Sequence, residues 1–177
     1  MDNLSDKDIA AVIKLAKDFG FKGFMGDCGQ AALAINNILF KNEGNILGAF
    51  NKKFFEQGHP FGHIAVEFKG KFWDTDGYSK KIEEIESWGM LDEKDSYYKE
   101  LADNYGFEFS EEAAFETIIH KFNSENDVHK YFRTFNLEKF SNFLEKALMQ
   151  IESKKKNQHE NNALNKNNFE YENFELK

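Results

Sequence analysis

Gly62-His63-Ile64-Ala65-Val66-Glu67-Phe68-Lys69-Gly70-Lys71-Phe72-Trp73-Asp74 is the stretch that decides the fold. Apolar and polar positions alternate from His63 to Phe68, the period of a strand with two unlike faces. His63, Ala65 and Glu67 share one face, and Ile64, Val66 and Phe68 the other. Lys69-Gly70 has the chemistry of a tight turn, and Lys71 to Asp74 reads as the return strand of an antiparallel hairpin. If Phe68 pairs with Lys71, Ala65 comes opposite Asp74 and His63 opposite Asp76. Neighbours on one face of a hairpin touch directly or diagonally, so either carboxylate can accept a hydrogen bond from the His63 imidazole. A one-residue bulge would change the choice between them. Upstream, Ile46 to Phe50 reads as a further short strand.

Before these strands, two helices are expected. Ser5 and Asp8 form an N-terminal capping pattern, Ile9, Val12, Ile13 and Ala16 recur at helical spacing, and Gly20 is a stop. Phe21 to Asp27 is a glycine-rich loop, and a second helix begins near Cys28 and runs to about Phe40. Ala31, Ala32, Leu33, Ala34, Ile35, Ile38 and Leu39 make it apolar nearly all round, which predicts a buried helix.

Cys28 therefore stands at a loop-to-helix junction between Gly26 and Gly29. Unpaired N–H groups at a helix start favour a negative sulfur and can hydrogen-bond an oxyanion. Flanking glycines would let a substrate carbonyl come close. A neutral His63 can take the thiol proton, and an imidazolium can stabilise the thiolate. A carboxylate on the second ring nitrogen fixes the tautomer.

Together, Asp27-Cys28-Gly29, Gly62-His63 and Trp73-Asp74 resemble the papain-like superfamily, in particular its compact Cys-His-Asp members: papain-fold toxins and effectors, transglutaminase-like proteins and, more distantly, arylamine N-acetyltransferases. The resemblance spans roughly residues 20–80. It implies Cys28 as nucleophile, His63 as general base and acid, and Asp74 as the orienting residue. The activity it implies is that of a cysteine hydrolase or acyltransferase on a peptide, isopeptide or carboxamide bond: thiol protease, deamidase or transglutaminase-like chemistry. It implies a protein or peptide substrate and no cofactor. Many papain-type peptidases carry a Gln shortly before the Cys; no Gln precedes Cys28, and Gln30 follows it on the helix, expected to point elsewhere. A backbone N–H or Lys22 would then serve the oxyanion.

The fold class expected is α+β: the Cys28 helix packed on a small antiparallel sheet, with a mostly helical C-terminal half. Ser79 can cap a helix containing Ile82 and Ile85. Further helices are expected near Glu93–Tyr105, Ser110–Phe122, Glu125–Phe132 and Leu137–Glu152, placing His120 and His129 in helices. Phe140, Phe143, Leu144, Ala147, Leu148 and Ile151 form one stripe, read as core. Residues 1–152 make a single domain, and 153–177 a polar, Asn-rich flexible tail. Within that tail Phe169, Tyr171 and Phe174 offer at most a short docking motif or added strand.

Composition narrows the partners. With 23 basic against 31 acidic residues the net charge is −8, and Arg133 is the lone arginine. Such a chain is repelled by phosphate backbones and anionic bilayers and has almost no bidentate phosphate recognition, so neither nucleic acid nor membrane is expected. One cysteine excludes an internal disulfide. The polar start, Met1 to Asp8, does not resemble a leader, and a reducing cytoplasm is the expected setting. Two rival readings remain open at this point. His59 and His63 are spaced like metal ligands, with Asp74 or Asp76 as carboxylate, although no metal is expected. Alternatively, the chain is a non-catalytic protein-binding module on the same scaffold.

Overall fold

The structure, a computed structural model, describes residues 4–21, 27–79, 82–132 and 134–172, with side chains described for all of these but 78–79, 82–83 and 159–172. Helix α1 (Asp6–Asp18) opens on a reciprocal Ser5/Asp8 capping box and buries Ile9, Val12, Ile13 and Ala16. Backbone N–H groups of Phe19 and Gly20 close its last turn on Ala16 and Lys17. Most of the glycine-rich loop, residues 22–26, lies outside the described residues. Helix α2 (Cys28–Leu39) is buried continuously from Cys28 to Asn36, as its nearly all-round apolar surface predicts, with the polar Gln30 and Asn36 buried among its apolar residues.

Five strands follow: β1 (Asn45–Asn51), β2 (Gly62–Phe68), β3 (Lys71–Asp74), β4 (Gly77–Ser79) and β5 (Thr117–Phe122). They form one antiparallel sheet in the order β4-β3-β2-β1-β5. Between and after them lie α3 (Lys52–Glu56), α4 (Ile82–Glu86), a 3-10 turn (Ser87–Gly89), α5 (Ser96–Tyr105), α6 (Glu111–Phe115), α7 (Glu125–Tyr131) and α8 (Leu137–Glu172). The architecture is α+β, with α2 packed on β1, β2 and β3 and with α1 and α8 on α2 or each other.

The face of β2 carrying Ile64, Val66 and Phe68 meets α2, where Phe40 stacks on Phe68 at 4.3 Å and beside the buried Trp73. Such a ring pair adds ~0.5–1.5 kcal/mol beyond its burial. The α8 stripe does serve the core: Phe140, Leu144, Ala147 and Leu148 are buried in it. On the opposite sheet face Ala49 and Ala65 are fully buried, and these small residues let α4, with buried Ile85, and the 3-10 turn close over β1 and β2. A second cluster, built on Phe54, Ala102, Phe109, Ala113 and Ala114, joins α3, α5 and α6.

Three expectations are corrected. The segment from Ser110 to Phe122 is not one helix. Helix α6 stops at Phe115, and Thr117 to Phe122 pairs with the free edge of β1, so His120 lies on a strand. The β-branched run Thr117-Ile118-Ile119 favours this. Buried Asn51 enforces it by donating from Nδ2 to the carbonyls of Ala113 (2.7 Å) and Ala114 (3.2 Å), which takes up helix-end acceptors. Second, Ser79 ends β4, three residues ahead of the described start of α4. Third, α8 does not end at Glu152 but continues to Glu172. No Gly or Pro interrupts that stretch, and the Lys155 ammonium reaches across to Asp8 on α1. Hydrogen bonds from Lys155 and Ser5 hold the Asp8 carboxyl down at about 2. Phe174 lies outside the described residues.

Candidate active site

Cys28 is the first residue of α2 and is buried at 9% exposure, a member of the main core cluster. The N-cap residue, Asp27, makes no capping bond to the helix. Its Oδ1 instead accepts from Gln30 Nε2 at 2.6 Å, while Gln30 Oε1 accepts from the Asn136 N–H at 3.0 Å. Gln30 is 1% exposed with both ends of its amide engaged, so it points away from any oxyanion. The start of α2 is thus tied to the beginning of α8, while the backbone N–H groups of its first turn have no helical acceptor.

Gly29 has a different use from the one its position implies. A Cβ built there would stand 2.4 Å from Phe132 Cβ. The missing side chain admits Phe132 to the helix start, so the space serves packing and not a substrate carbonyl. Gly26 and Lys22 lie outside the described residues.

The hairpin delivers the other two groups. Lys69 and Gly70 have φ of 53° and 73°, the left-handed pair of a type I′ turn. The register that follows pairs Phe68 with Lys71, Glu67 with Phe72 and Val66 with Trp73. His63 lies diagonally from Asp74 on the same face, and its Nε2 bonds Asp74 Oδ2 at 3.0 Å. The other carboxylate oxygen, Oδ1, accepts from the Asp76 N–H at 2.7 Å, which fixes the carboxylate plane. The Asp76 side chain turns away to pair with Lys17 on α1. Of the two candidate acids, then, it is Asp74 that meets the imidazole.

Trp88, in the 3-10 turn, packs edge-to-face on the His63 ring with centroids 4.7 Å apart. It covers the imidazole and limits water at the His63–Asp74 bond. Nothing in Ser87-Trp88-Gly89 as a sequence distinguishes this tryptophan from an ordinary surface aromatic. The turn can approach because Gly89 lies against β1, where a Cβ would come 2.6 Å from the Phe50 carbonyl.

Burial of the ring pushes His63 down, but the hydrogen bond it donates to the Asp74 carboxylate, then the nearness of Cys28, then the charges of both groups outweigh it and hold His63 at about 9 instead of 6.5. The hydrogen bond of the ring is the one to Asp74, and Cys28 acts on it through nearness and charge. Because Nε2 serves Asp74, the ring nitrogen left for the sulfur is Nδ1. A raised histidine stabilises the folded chain fully below about 6.5, and that contribution is lost as pH climbs through about 9. Asp74→Asn removes the acceptor charge, so burial regains weight and the His63 midpoint is expected to fall well below 9. Imidazole NMR titration of the two proteins checks this; a wild-type midpoint at or below 6.5 would contradict the arrangement.

The remaining histidines are elsewhere. The Tyr105 hydroxyl is hydrogen-bonded to His59 Nε2, so that ring nitrogen is already engaged. His129 bonds Glu125 and Thr134. Among the described residues no group of three or more His, Cys, Asp or Glu is placed to hold a metal, and no helix is long and apolar enough to cross a membrane. A concavity of about 400 Å³ between Lys99, Asp103, Phe107 and Phe109 shares no residue with the Cys28 site. No protein-family model, curated protein or solved structure matches the chain.

Proposed function

We propose that the chain is a cysteine-dependent hydrolase or acyltransferase of the papain-like kind, acting on a peptide, isopeptide or carboxamide carbonyl. The observation that carries this reading is that one imidazole is engaged both by a thiol at a helix start and by a carboxylate. Imidazolium and thiolate form the working pair. The Cys28 sulfur attacks the carbonyl carbon, and the electron pair of the C=O bond moves to oxygen. Backbone N–H groups in the first turn of α2 stabilise that oxyanion. When the carbonyl re-forms, the C–N bond breaks and the departing nitrogen takes the proton of His63. The thioester left on Cys28 is then attacked by water or by an amine, whose proton returns to the now neutral His63. Water gives hydrolysis or deamidation, and an amine gives transamidation. Asp74 holds the ring in place and balances its charge throughout. The acidic surface favours a neutral or basic substrate in a cytoplasmic setting.

The test is alkylation of Cys28 by iodoacetamide at pH 6, compared with free cysteine and with Cys28→Ala. An ion-paired sulfur is expected to react at least about tenfold faster than free cysteine, which is almost all thiol at that pH. Reaction no faster than free cysteine would instead describe a binding module that keeps the scaffold without the chemistry.

A further inference from the structure

Helix α2 begins unlike the helices around it. Ser5, Asn51, Asp95, Ser110 and Ser124 each stand at a helix start in extended backbone, and each side chain accepts an N–H of the first turn. Asp27 holds the same position on α2 and its side chain is equally suited to capping. Its backbone is nevertheless helical, with φ of −91° and ψ of −7°, and its carboxylate makes no bond to the turn. Gln30 holds that carboxylate elsewhere, donating from Nε2 to Asp27 Oδ1 at 2.6 Å. Gln30 is itself fixed, because it is buried and its Oε1 accepts the Asn136 N–H at 3.0 Å. Two residues along a helix stand about 200° apart, so Gln30 leaves α2 on the side away from Cys28. The Asp27 carboxylate is drawn to that far side.

We propose that Gln30 is a positioning residue for Cys28: it keeps the Asp27 carboxylate off the N–H groups that the sulfur anion and the oxyanion need. The proposal rests on the reading of Cys28 as nucleophile. A carboxylate capping α2 would accept from the N–H of Gly29 or Gln30 and so take a donor from the oxyanion. Its charge would also oppose a second negative charge on the adjacent sulfur. The helix start favours either anion, and the Gln30 amide decides which of them occupies it. Gln30 acts through Asp27 and not on the sulfur or the carbonyl.

The test is the pH profile of iodoacetamide labelling, read as the pH of half-maximal rate. Gln30→Met keeps a side chain of similar length without the amide. It is expected to raise that midpoint by about one pH unit, the effect of one anion at a helix start. Asp27→Ala alone is expected to move it by less than ~0.3 unit, because the carboxylate is already held beyond the reach of the first turn. The double variant, Asp27→Ala with Gln30→Met, is expected to return to the wild-type midpoint. An unmoved midpoint in folded Gln30→Met overturns the proposal. A raised midpoint that persists in the double variant overturns it equally, since Gln30 would then serve only to tie α2 to α8. So does a clear fall in Asp27→Ala, which would mean that the carboxylate already acts on the helix start. Melting curves are recorded beside the rates. If Gln30→Met does not fold, Gln30→Asn, an amide one methylene short of Asp27, takes its place with the same expectations. Failure of the underlying nucleophile reading shows separately, as wild-type iodoacetamide reaction at pH 6 no faster than free cysteine.

Discussion

Replacing His63 by Ala is expected to lower acyl transfer at neutral pH by ~10²–10⁴-fold, the range of a positioned acid–base group. In the proposed reaction one ring performs three tasks. It stabilises the sulfur anion, protonates the leaving nitrogen and deprotonates the resolving water or amine. Its charge is held by Asp74 and Cys28 against the cost of burial, so no other group at the site can replace it. Alkylation of Cys28 at pH 6 should fall in parallel to the rate of an ordinary thiol or below it. His63 also packs on Trp88, so the variant's melting curve and far-UV spectrum must be recorded beside the rates. A folded His63→Ala protein that labels as fast as wild type would reduce Cys28 to a thiol that His63 does not activate and end the proposal.

Gly62→Ala should produce the largest loss of stability, at least about 3 kcal/mol in urea unfolding. Gly62 has φ of +155°, a region that is strained for any residue with a side chain. A Cβ there would lie 2.0 Å from the Ala49 carbonyl oxygen and 2.8 Å from Phe50 Cα. Both are backbone atoms of the neighbouring strand β1, so no side-chain rotation relieves the overlap, and β1 and β2 must part. The displacement falls on the residue before His63, so activity should fall together with stability. Gly70→Asn is the matched control. Gly70 has φ of +73° with nothing within 4 Å of a Cβ, and Asn tolerates that conformation, so a change under ~1 kcal/mol is expected. Equal unfolding midpoints for the two variants would show that the β1–β2 contact is not as close as described.

The hairpin was legible because its information is local. Period-two alternation, a Lys-Gly turn and a known number of residues set the register, and the register alone brought His63 diagonally to Asp74. The Cys28 helix was legible for a similar reason: its burial follows from a surface that is apolar nearly all round. The choice between Asp74 and Asp76 was not legible. It depends on Lys17, far away in the chain, drawing one carboxylate to α1, and on the Asp76 amide turning back to hold the other. Gly29 was readable as small but not as to what would fill the space, since Phe132 arrives from the other end of the domain.

By itself the sequence determined the α+β class, the hairpin with its histidine and acid, and a cysteine at the start of a buried helix. Each of these follows from repeat period, turn chemistry or residue type within a short stretch of chain. Tertiary structure alone decided that Thr117–Phe122 is a strand, that Trp88 covers the imidazole, and that Gln30 joins the start of α2 to that of α8. A strand exists only where an open edge satisfies its backbone, and a ring or an amide acquires a role only from the groups folded against it.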